Sequence, residues 1–379
     1  MDELVVGTYE GFLLGYTVQS QNEETKLKQT FATQSHTASV RCVSTAGKFL
    51  ATGGTDDKVV IIDLKTRKEH TVLMNHDGTV NTLGFTHSGT HLFTGSDDGK
   101  IIITRTGNWQ IEKIWKKAHA GQPVTAIAVH PSDKLALSIG GDKTLKTWNL
   151  IKGRPAFTIN LASKGIAMPT EIKFAPGGDR FSLVYQQCVD VWTISKAGVE
   201  KHITCNSKPT TVQWITDERL YVGLENGNII TLTVSDTTAM TYQAHQQRVK
   251  CLYYEKNKLY SASSSGELKV WMVSDSKLKE ICSSSAGCRI TCVALNKQSY
   301  LLKMEAESVG KEEQETIESE IESDNEKRSL ETKKRKPGAF VTIAYDGESE
   351  DDKEKDLLPA KKFKKRKRNK KPNMKKHNK

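Results

Sequence analysis

The sequence contains no apolar run that approaches the roughly 18 residues needed to span a bilayer as a helix. Its first residues, Met1 to Leu4, lack the basic and then apolar layout of a secretory signal peptide. Its seven cysteines are an odd number, and their spacing does not follow a disulfide framework. These absences argue against a membrane-spanning helix and favour a reducing compartment in which the thiols stay free.

The sequence also lacks the common catalytic motifs. It contains no Gly-x-x-x-x-Gly-Lys-Ser/Thr phosphate loop, no Gly-x-Ser-x-Gly elbow and no His-Glu-x-x-His helix. Cys282, Cys288 and Cys292 have no accompanying histidines, so we interpret them as buried thiols rather than a zinc site. We therefore predict a protein that is not an enzyme and needs no metal or cofactor.

Residues 118–150 are the most informative stretch that the sequence does contain. Three short apolar runs, at 124–131, 135–138 and 142–149, are each bounded by Gly, Pro, Asn or Asp. Apolar alternation between such turn residues is typical of consecutive β-strands rather than a helix.

Four polar residues of this stretch follow an order that suits one small buried network: His119, Ser138, Asp142 and Trp148. In such a network each polar atom finds a partner and ties the leading loop to the strands. The same letters also allow a catalytic Ser-His-Asp set. Because parts of the pattern recur along the chain, we interpret it as architecture.

The leading histidine recurs at His36, His76, His119 and His245, at separations of 40, 43 and 126 residues, the last being three times 42. A period near 42 indicates four-stranded propeller blades. Six units can be placed, of which the fourth and fifth lack the histidine. The predicted network members outside the third unit are His36, Thr52, Asp56, His76, Thr94, Asp98, Trp192, His245, Ser261 and Trp271.

The units also depart from the full pattern. The tryptophan position is filled by Ile62, Thr104 and Leu232 in three units. In the sixth unit Ser265 stands where a turn aspartate is expected, so we predict an incomplete network there.

Fragments at the two ends of the repeats predict a seventh blade. Residues 4–14 align without a gap on residues 220–230 as second and third strands, and residues 289–295 form an isolated first strand. Joining them would remove unpaired strand edges from the ring. The predicted fold is an all-β, seven-bladed propeller over residues 1–299, with blade seven shared by residues 1–31 and 285–299, followed by a tail at 300–379.

The units resemble WD repeats in their histidine lead, turn aspartate and tryptophan ending. The segments 35–39 and 130–154 are further similar to the p21-activated-kinase-interacting protein family, which includes the fungal Mak-eleven ribosome-assembly factors. The resemblance covers roughly residues 1–296 and a basic tail of the same character. It implies a nucleolar WD-repeat factor on pre-ribosomal particles and, as an alternative, a protein that binds and restrains p21-activated kinases.

The tail consists of charge blocks. Residues 305–326 hold ten acidic residues and one lysine, and residues 361–379 hold twelve Lys or Arg and no acid. So few apolar residues predict disorder. We expect two basic clusters to bind an import receptor and RNA phosphates and to direct the protein to the nucleus and nucleolus. They comprise Lys333, Lys334, Arg335 and Lys336, then Lys361, Lys362, Lys364, Lys365, Arg366, Lys367, Arg368, Lys370 and Lys371.

Three serines precede carboxylates in the acidic blocks, and Ser319, Ser323 and Ser349 are therefore candidate sites for an acidophilic kinase. Residues 1–299 hold 34 basic and 27 acidic residues, a net charge of +7, which favours an acidic or RNA-rich partner. The candidate partner contacts in the loops are Arg67, Lys68, Trp109, Lys116, Lys117, Lys152, Arg154 and Arg248. For Trp109 the sequence equally allows packing of a fourth strand against its neighbour.

These observations predict a non-catalytic scaffold in assembly of the large (60S) ribosomal subunit and processing of its precursor RNA. The expected partners are proteins of the pre-60S particle and ribosomal RNA. The alternative is a negative regulator that binds the regulatory region of a p21-activated kinase. The sequence does not indicate which face binds, or the oligomeric state.

Overall fold

The computed structural model describes residues 2–21, 24–236, 239–274 and 277–297. These residues form 28 β-strands in seven antiparallel sheets of four strands each. Each sheet is one blade of a propeller, so the predicted seven-bladed all-β fold is confirmed. The described residues contain no α-helix, only a 3-10 turn at Ala162–Lys164, and hence no helix able to cross a bilayer.

Blades one to six each use four consecutive strands, numbered from the ring axis outwards. Blade one contains β4 (Val40–Ala46), β5 (Phe49–Gly54), β6 (Val59–Asp63) and β7 (Lys68–Leu73). Blade two contains β8 (Val80–Phe85), β9 (His91–Ser96), β10 (Ile101–Arg105) and β11 (Ile111–Trp115). Blade three contains β12 (Val124–Val129), β13 (Leu135–Gly140), β14 (Thr144–Asn149) and β15 (Arg154–Asn160).

The remaining blades follow the same plan. Blade four contains β16 (Glu171–Phe174), β17 (Arg180–Tyr185), β18 (Cys188–Thr193) and β19 (Gly198–Thr204). Blade five contains β20 (Pro209–Trp214), β21 (Arg219–Leu224), β22 (Asn228–Thr233) and β23 (Met240–Gln243). Blade six contains β24 (Val249–Glu255), β25 (Lys258–Ser263), β26 (Glu267–Ser274) and β27 (Lys277–Ser285).

The closing blade is assembled from both ends of the described chain, in the order β28 (Ile290–Asn296), β1 (Glu3–Thr8), β2 (Phe12–Gln21) and β3 (Glu24–Gln34). In the β1–β28 register Leu4 lies opposite Leu295 and Val6 opposite Val293. What this pairing contributes to stability stays a prediction. So does the predicted domain boundary at residue 299, because residues 298–379 lie outside the described part of the chain.

The core lies between neighbouring blades, because each sheet must bury both of its faces. β1 is buried along its whole length, and successive side chains of a strand point to opposite faces. Leu4 and Val6 accordingly pack against blade six, in a cluster with Leu268, whereas Val5 packs against blade one with Leu50. Outer strands are more exposed, as in β15, where six of seven residues are exposed.

The ring has two loop-bearing faces. The upper face is the one that carries two kinds of loop: those that lead into the first strand of each blade and those that join its second strand to its third. The lower face carries the other loops. Two ion pairs lie on the lower face. Asp2 pairs with Lys256 in the loop between β24 and β25, and Lys297 pairs with Glu255 at the end of β24.

Candidate functional site

The third blade brings its four predicted network residues together in one hydrogen-bonded chain. Trp148 Nε1 donates to Ser138 Oγ at 2.8 Å, Ser138 Oγ lies 2.7 Å from His119 Nε2, and His119 Nδ1 lies 2.9 Å from Asp142 Oδ1. An ionised Asp142 can only accept, so Nδ1 of the neutral imidazole carries the proton, and Nε2 accepts from the Ser138 hydroxyl. These hydrogen bonds hold the loop that carries His119 against strands β13 and β14 and the turn between them.

Burial sets the charge state of this network. His119 is fully buried, and desolvation lowers the pKa of its imidazole in spite of Asp142, so the ring is neutral at pH 7. Burial alone would raise the pKa of Asp142, but hydrogen bonds from Thr144 and His119 outweigh it and lower that pKa. Ser138 is also fully buried and both of its hydrogen-bonding roles are occupied, so the geometry is that of a structural clamp.

Blades one and two repeat the clamp without the tryptophan. His36 lies 2.9 Å from Thr52 Oγ1 and 2.8 Å from Asp56 Oδ1. His76 lies 2.8 Å from Thr94 Oγ1 and 3.0 Å from Asp98 Oδ2. Both aspartates also accept backbone N–H groups, from Thr37 and Asp77, which holds each leading loop against its turn.

The prediction that the sixth blade has an incomplete network was wrong. His245 Nε2 lies 2.7 Å from Ser261 Oγ, which accepts from Trp271 Nε1 at 2.9 Å. The carboxylate is supplied by Glu267 Oε2, 2.7 Å from His245 Nδ1. The longer side chain of a glutamate at the start of β26 reaches the position that an aspartate of the preceding turn occupies elsewhere. A search for a carboxylate within two residues of Ser265 would have found it.

The predicted network role of Trp192 was also wrong. Its Nε1 is buried without a hydrogen-bond partner, its ring stacks on Phe181, and the Lys164 ammonium lies 5.4 Å from its centroid. The serine of the fourth blade, Ser182, instead accepts from Trp214 Nε1 of blade five at 3.1 Å.

Two predicted surface contacts prove to be packing residues. Arg67 makes a bidentate ion pair with the buried Glu3, at 2.7 and 2.9 Å, and its guanidinium lies over Phe31. Trp109 adopts a positive φ of 56° in a turn and packs edge-on against Phe49, 5.0 Å away. The exposed members of the predicted set are Lys68, Lys116, Lys117, Lys152 and Arg154, and Arg248 is half-buried.

Arg248 lies at a site that the sequence reasoning missed, a pit of about 700 Å³ where the central channel opens on the upper face. Four cationic side chains line it: Arg41, Arg248, Lys250 and Arg289. Asp97 is the one carboxylate among the described residues of the lining, and its Oδ1 accepts from Asn81 at 2.6 Å. The signal in the sequence was a basic residue at the start of a first strand, either its second residue (Arg41 and Lys250) or the residue directly before it (Arg248 and Arg289).

Deeper in the channel Glu171 and Lys173 already have backbone partners. Glu171 is desolvated, which raises its pKa, and it accepts the backbone N–H of Val212 at 3.0 Å. Burial also raises the pKa of the channel thiols, to about 12 for Cys251 and about 11 for Cys292. All seven cysteines are free. No group of three or more His, Cys, Asp or Glu side chains within the described residues is arranged to hold a metal ion.

The tail predictions fall outside the described residues. This applies to the two basic clusters at 333–336 and 361–371 and to Ser319, Ser323 and Ser349. Their targeting, RNA-binding and phosphorylation roles stay predictions.

Comparison with known proteins agrees with the repeat geometry. The WD domain, G-beta repeat family matches residues 25–63, 67–104 and 111–149, and each match takes the outer strand of one blade and three strands of the next. A "p21-activated protein kinase-interacting protein 1-like" protein of Xenopus laevis is 35% identical over 302 residues, covering 77% of this chain and 81% of the relative. The chain belongs to the p21-activated protein kinase-interacting protein 1 family.

Two fungal proteins resemble this WD-repeat chain over a larger share of its length. The "Shk1 kinase-binding protein 15" of Schizosaccharomyces pombe is 27% identical over 89% of this chain and 98% of the relative. "Protein MAK11" of Saccharomyces cerevisiae is 24% identical over 88% of this chain and 94% of the relative. The family predicted from the residues is therefore confirmed.

Proposed function

We propose that this protein is a non-catalytic nucleolar scaffold that binds pre-60S ribosomal proteins during assembly of the large subunit and processing of its RNA. The observation that carries the proposal is the similarity to Protein MAK11, which covers 88% of this chain and 94% of that relative. The family resemblance read from the sequence associates the Mak-eleven proteins with ribosome assembly. A ring of seven blades supplies the platform.

The charge of the tail supports the same proposal. Residues 361–379 carry twelve basic and no acidic residues, a composition that neutralises phosphates by releasing counterions. Such contacts carry no sequence information, so they suit ribosomal RNA held near the ring by specific protein contacts. The same clusters fit the acidic groove of an import receptor, which accounts for nuclear and nucleolar entry.

Depletion of the protein tests the ribosomal role. We expect precursors of the large-subunit RNAs to accumulate and 60S subunits to fall, as measured by RNA blotting and sucrose gradients. Re-expression of the full chain should restore both. Normal precursor ratios after complete depletion would contradict the proposal.

Truncation after Pro359 tests the tail separately. A fluorescent fusion of residues 1–359 should lose its nucleolar concentration, whereas the full chain retains it. A tail in which Lys361–Arg368 are rearranged but keep their charge is the matched control and should remain nucleolar. Unchanged nucleolar concentration of the truncated protein would remove the targeting role.

The second candidate is binding of the regulatory region of a p21-activated kinase, with restraint of its activation. It is favoured by the names of the Xenopus and Schizosaccharomyces relatives, which refer to interaction with a kinase and to kinase binding. Kinase activity measured in the same depleted cells separates the two candidates. Raised kinase activity with normal RNA precursors would reverse our ranking.

A further inference from the structure

The mouth of the central channel on the upper face is built by one repeated backbone device. In blades one, two, three, five and six, the first strand has a register shift around its second residue where it pairs with the second strand. A β-bulge re-aims the side chain of the extra residue. The residues at these bulges are Arg41, Asn81, Thr125, Thr210 and Lys250.

Most side chains at these bulges form hydrogen bonds within the ring. Thr125 donates to the carbonyl of Ile139 at 3.1 Å, and Thr210 donates to that of Gly223 at 2.9 Å. In the closing blade Thr291 donates to the carbonyl of Gly7 at 3.0 Å. These hydroxyls are occupied in the free protein.

Arg41 and Lys250 differ, because within the described residues neither side chain has a hydrogen bond or an ion pair. Both are exposed. They belong to blades one and six, on either side of the closing blade. Arg289, at the entry to the closing blade, lies between them, and its guanidinium lies 5.1 Å from the centroid of the Tyr9 ring. The free cations are therefore gathered on one side of the pit.

Arg248 adds a partly satisfied fourth cation. Its guanidinium Nη1 lies 3.9 Å from Glu225, too far for a hydrogen bond, and its buried Nε has no partner. A buried donor that makes no hydrogen bond costs free energy, because it has lost its water partner. An acceptor that enters the pit would remove this cost. The lining thus offers at least three positive charges against Asp97, which already accepts from Asn81.

We propose that this mouth binds an acidic segment of a partner protein, whose carboxylates pair with Arg41, Lys250 and Arg289. The inference deepens the proposed scaffold function and rests on it only in taking the occupant to be a protein. Shape favours a peptide over RNA. The pit is concave and is also lined by apolar side chains such as Met168 and Ile290, whereas a duplex presents phosphates on a convex surface. Tyr9 is the one aromatic residue of the described lining, and a single ring is too few for a base-stacking platform.

Hydrogen exchange measured by mass spectrometry on the full chain tests the site locally. Addition of a poly-glutamate peptide at physiological salt should slow exchange in residues 36–41, 244–250 and 286–291, and poly-glutamine should not. In the triple variant Arg41→Gln, Lys250→Gln, Arg289→Gln, the peptide concentration for half-maximal protection should rise about tenfold or more. This readout does not depend on RNA processing, so its failure is distinct from failure of the ribosomal role.

The triple variant Lys28→Gln, Lys113→Gln, Lys279→Gln is the matched control, because it removes the same charge from exposed lysines on outer strands, outside the pit. It should keep the protection within about twofold. Equal loss in both variants would reduce the site to net charge and overturn the proposal, as would absence of protection in the three loops. Stronger protection of the same loops by a poly-uridylate oligonucleotide would overturn it in favour of RNA.

Discussion

Blades three and four are neighbours of the same size, yet they fill their interiors differently. Blade three holds the complete chain from Trp148 through Ser138 and His119 to Asp142. Blade four has no leading histidine. Its buried Asp190 pairs instead with His202 of the outer strand β19, with 2.6 Å between Asp190 Oδ1 and His202 Nδ1. The comparison teaches that the repeat preserves an interior that satisfies its polar atoms, rather than one fixed set of residues.

The substitute network of blade four is less complete. Tyr185 donates to Asp190 at 3.0 Å, and burial together with this carboxylate raises the pKa of the phenol. Trp192, however, leaves its indole N–H unpaired. The stability of blade four therefore depends more than that of blade three on apolar packing against the next blade. Val191 of blade four shares one cluster with Trp214 and Leu220 of blade five.

The largest expected effect comes from removing the N-terminal strands of the closing blade. Deletion of residues 1–18 takes away β1 and most of β2 and leaves β28 without its neighbour. The expected loss is comparable with the whole free energy of unfolding, about 5–15 kcal/mol. Thermal melting and limited proteolysis measure it, with deletion of residues 361–379 as the control that leaves the ring intact. An unchanged melting temperature after the first deletion would show that closure by the chain ends is unimportant.

A matched pair of serine substitutions tests the difference between blades three and four. Ser138→Ala removes the acceptor of Trp148 Nε1 and the partner of His119, both buried, and should cost about 1–3 kcal/mol. Ser182→Ala should cost less, because Trp214 Nε1 keeps a second acceptor, the carbonyl of Lys173 at 3.2 Å. Urea unfolding of both variants provides the free energies. Equal losses would mean that the shared clamp contributes no more than its substitute.

The smallest effect expected is the contribution of a single buried histidine to the dependence of stability on pH. Burial lowers the pKa values of His76, His119 and His245 below the unfolded value of about 6.5. The unfolded chain then binds more protons as the pH falls, so stability is full above pH 6.5 and is lost below it. Each histidine contributes at most about 1.4 kcal/mol per pH unit in this window.

Urea unfolding at pH 7.5 and 5.5 measures this loss. The variant His119→Gln, which cannot titrate at that position, should show a smaller difference between the two pH values than the parent. The same difference in both proteins would show that His119 is not the group being protonated.

Much of the fold could be predicted because period, turn residues and alternation are local signals. The gap-free alignment of residues 4–14 on 220–230 was enough to place a seventh blade. The third-blade residues could be predicted because His119, Ser138, Asp142 and Trp148 all retain their usual spacing.

The errors have a common physical cause, which is that a side chain from another position can satisfy the same atom. Glu267 replaces the carboxylate expected at position 265, and Trp214 of the next blade replaces Trp192 as donor to a serine. Arg67 looked like a solvated loop residue because its partner, Glu3, is 64 positions away in sequence. The channel mouth was missed because its four cations come from three separate segments and meet only when the ring is closed.

The register shifts at the inner strands separate the chemistry of the channel opening from the stability of the fold. At Arg41 and Lys250 the extra side chain is exposed at the channel mouth while its strand neighbours hold the blade, as at Lys250 between the buried Val249 and the half-buried Cys251. These two residues can thus be exchanged without disturbing the packing between sheets. Two substitutions are therefore enough to change the charge presented to a partner while the ring stays in place.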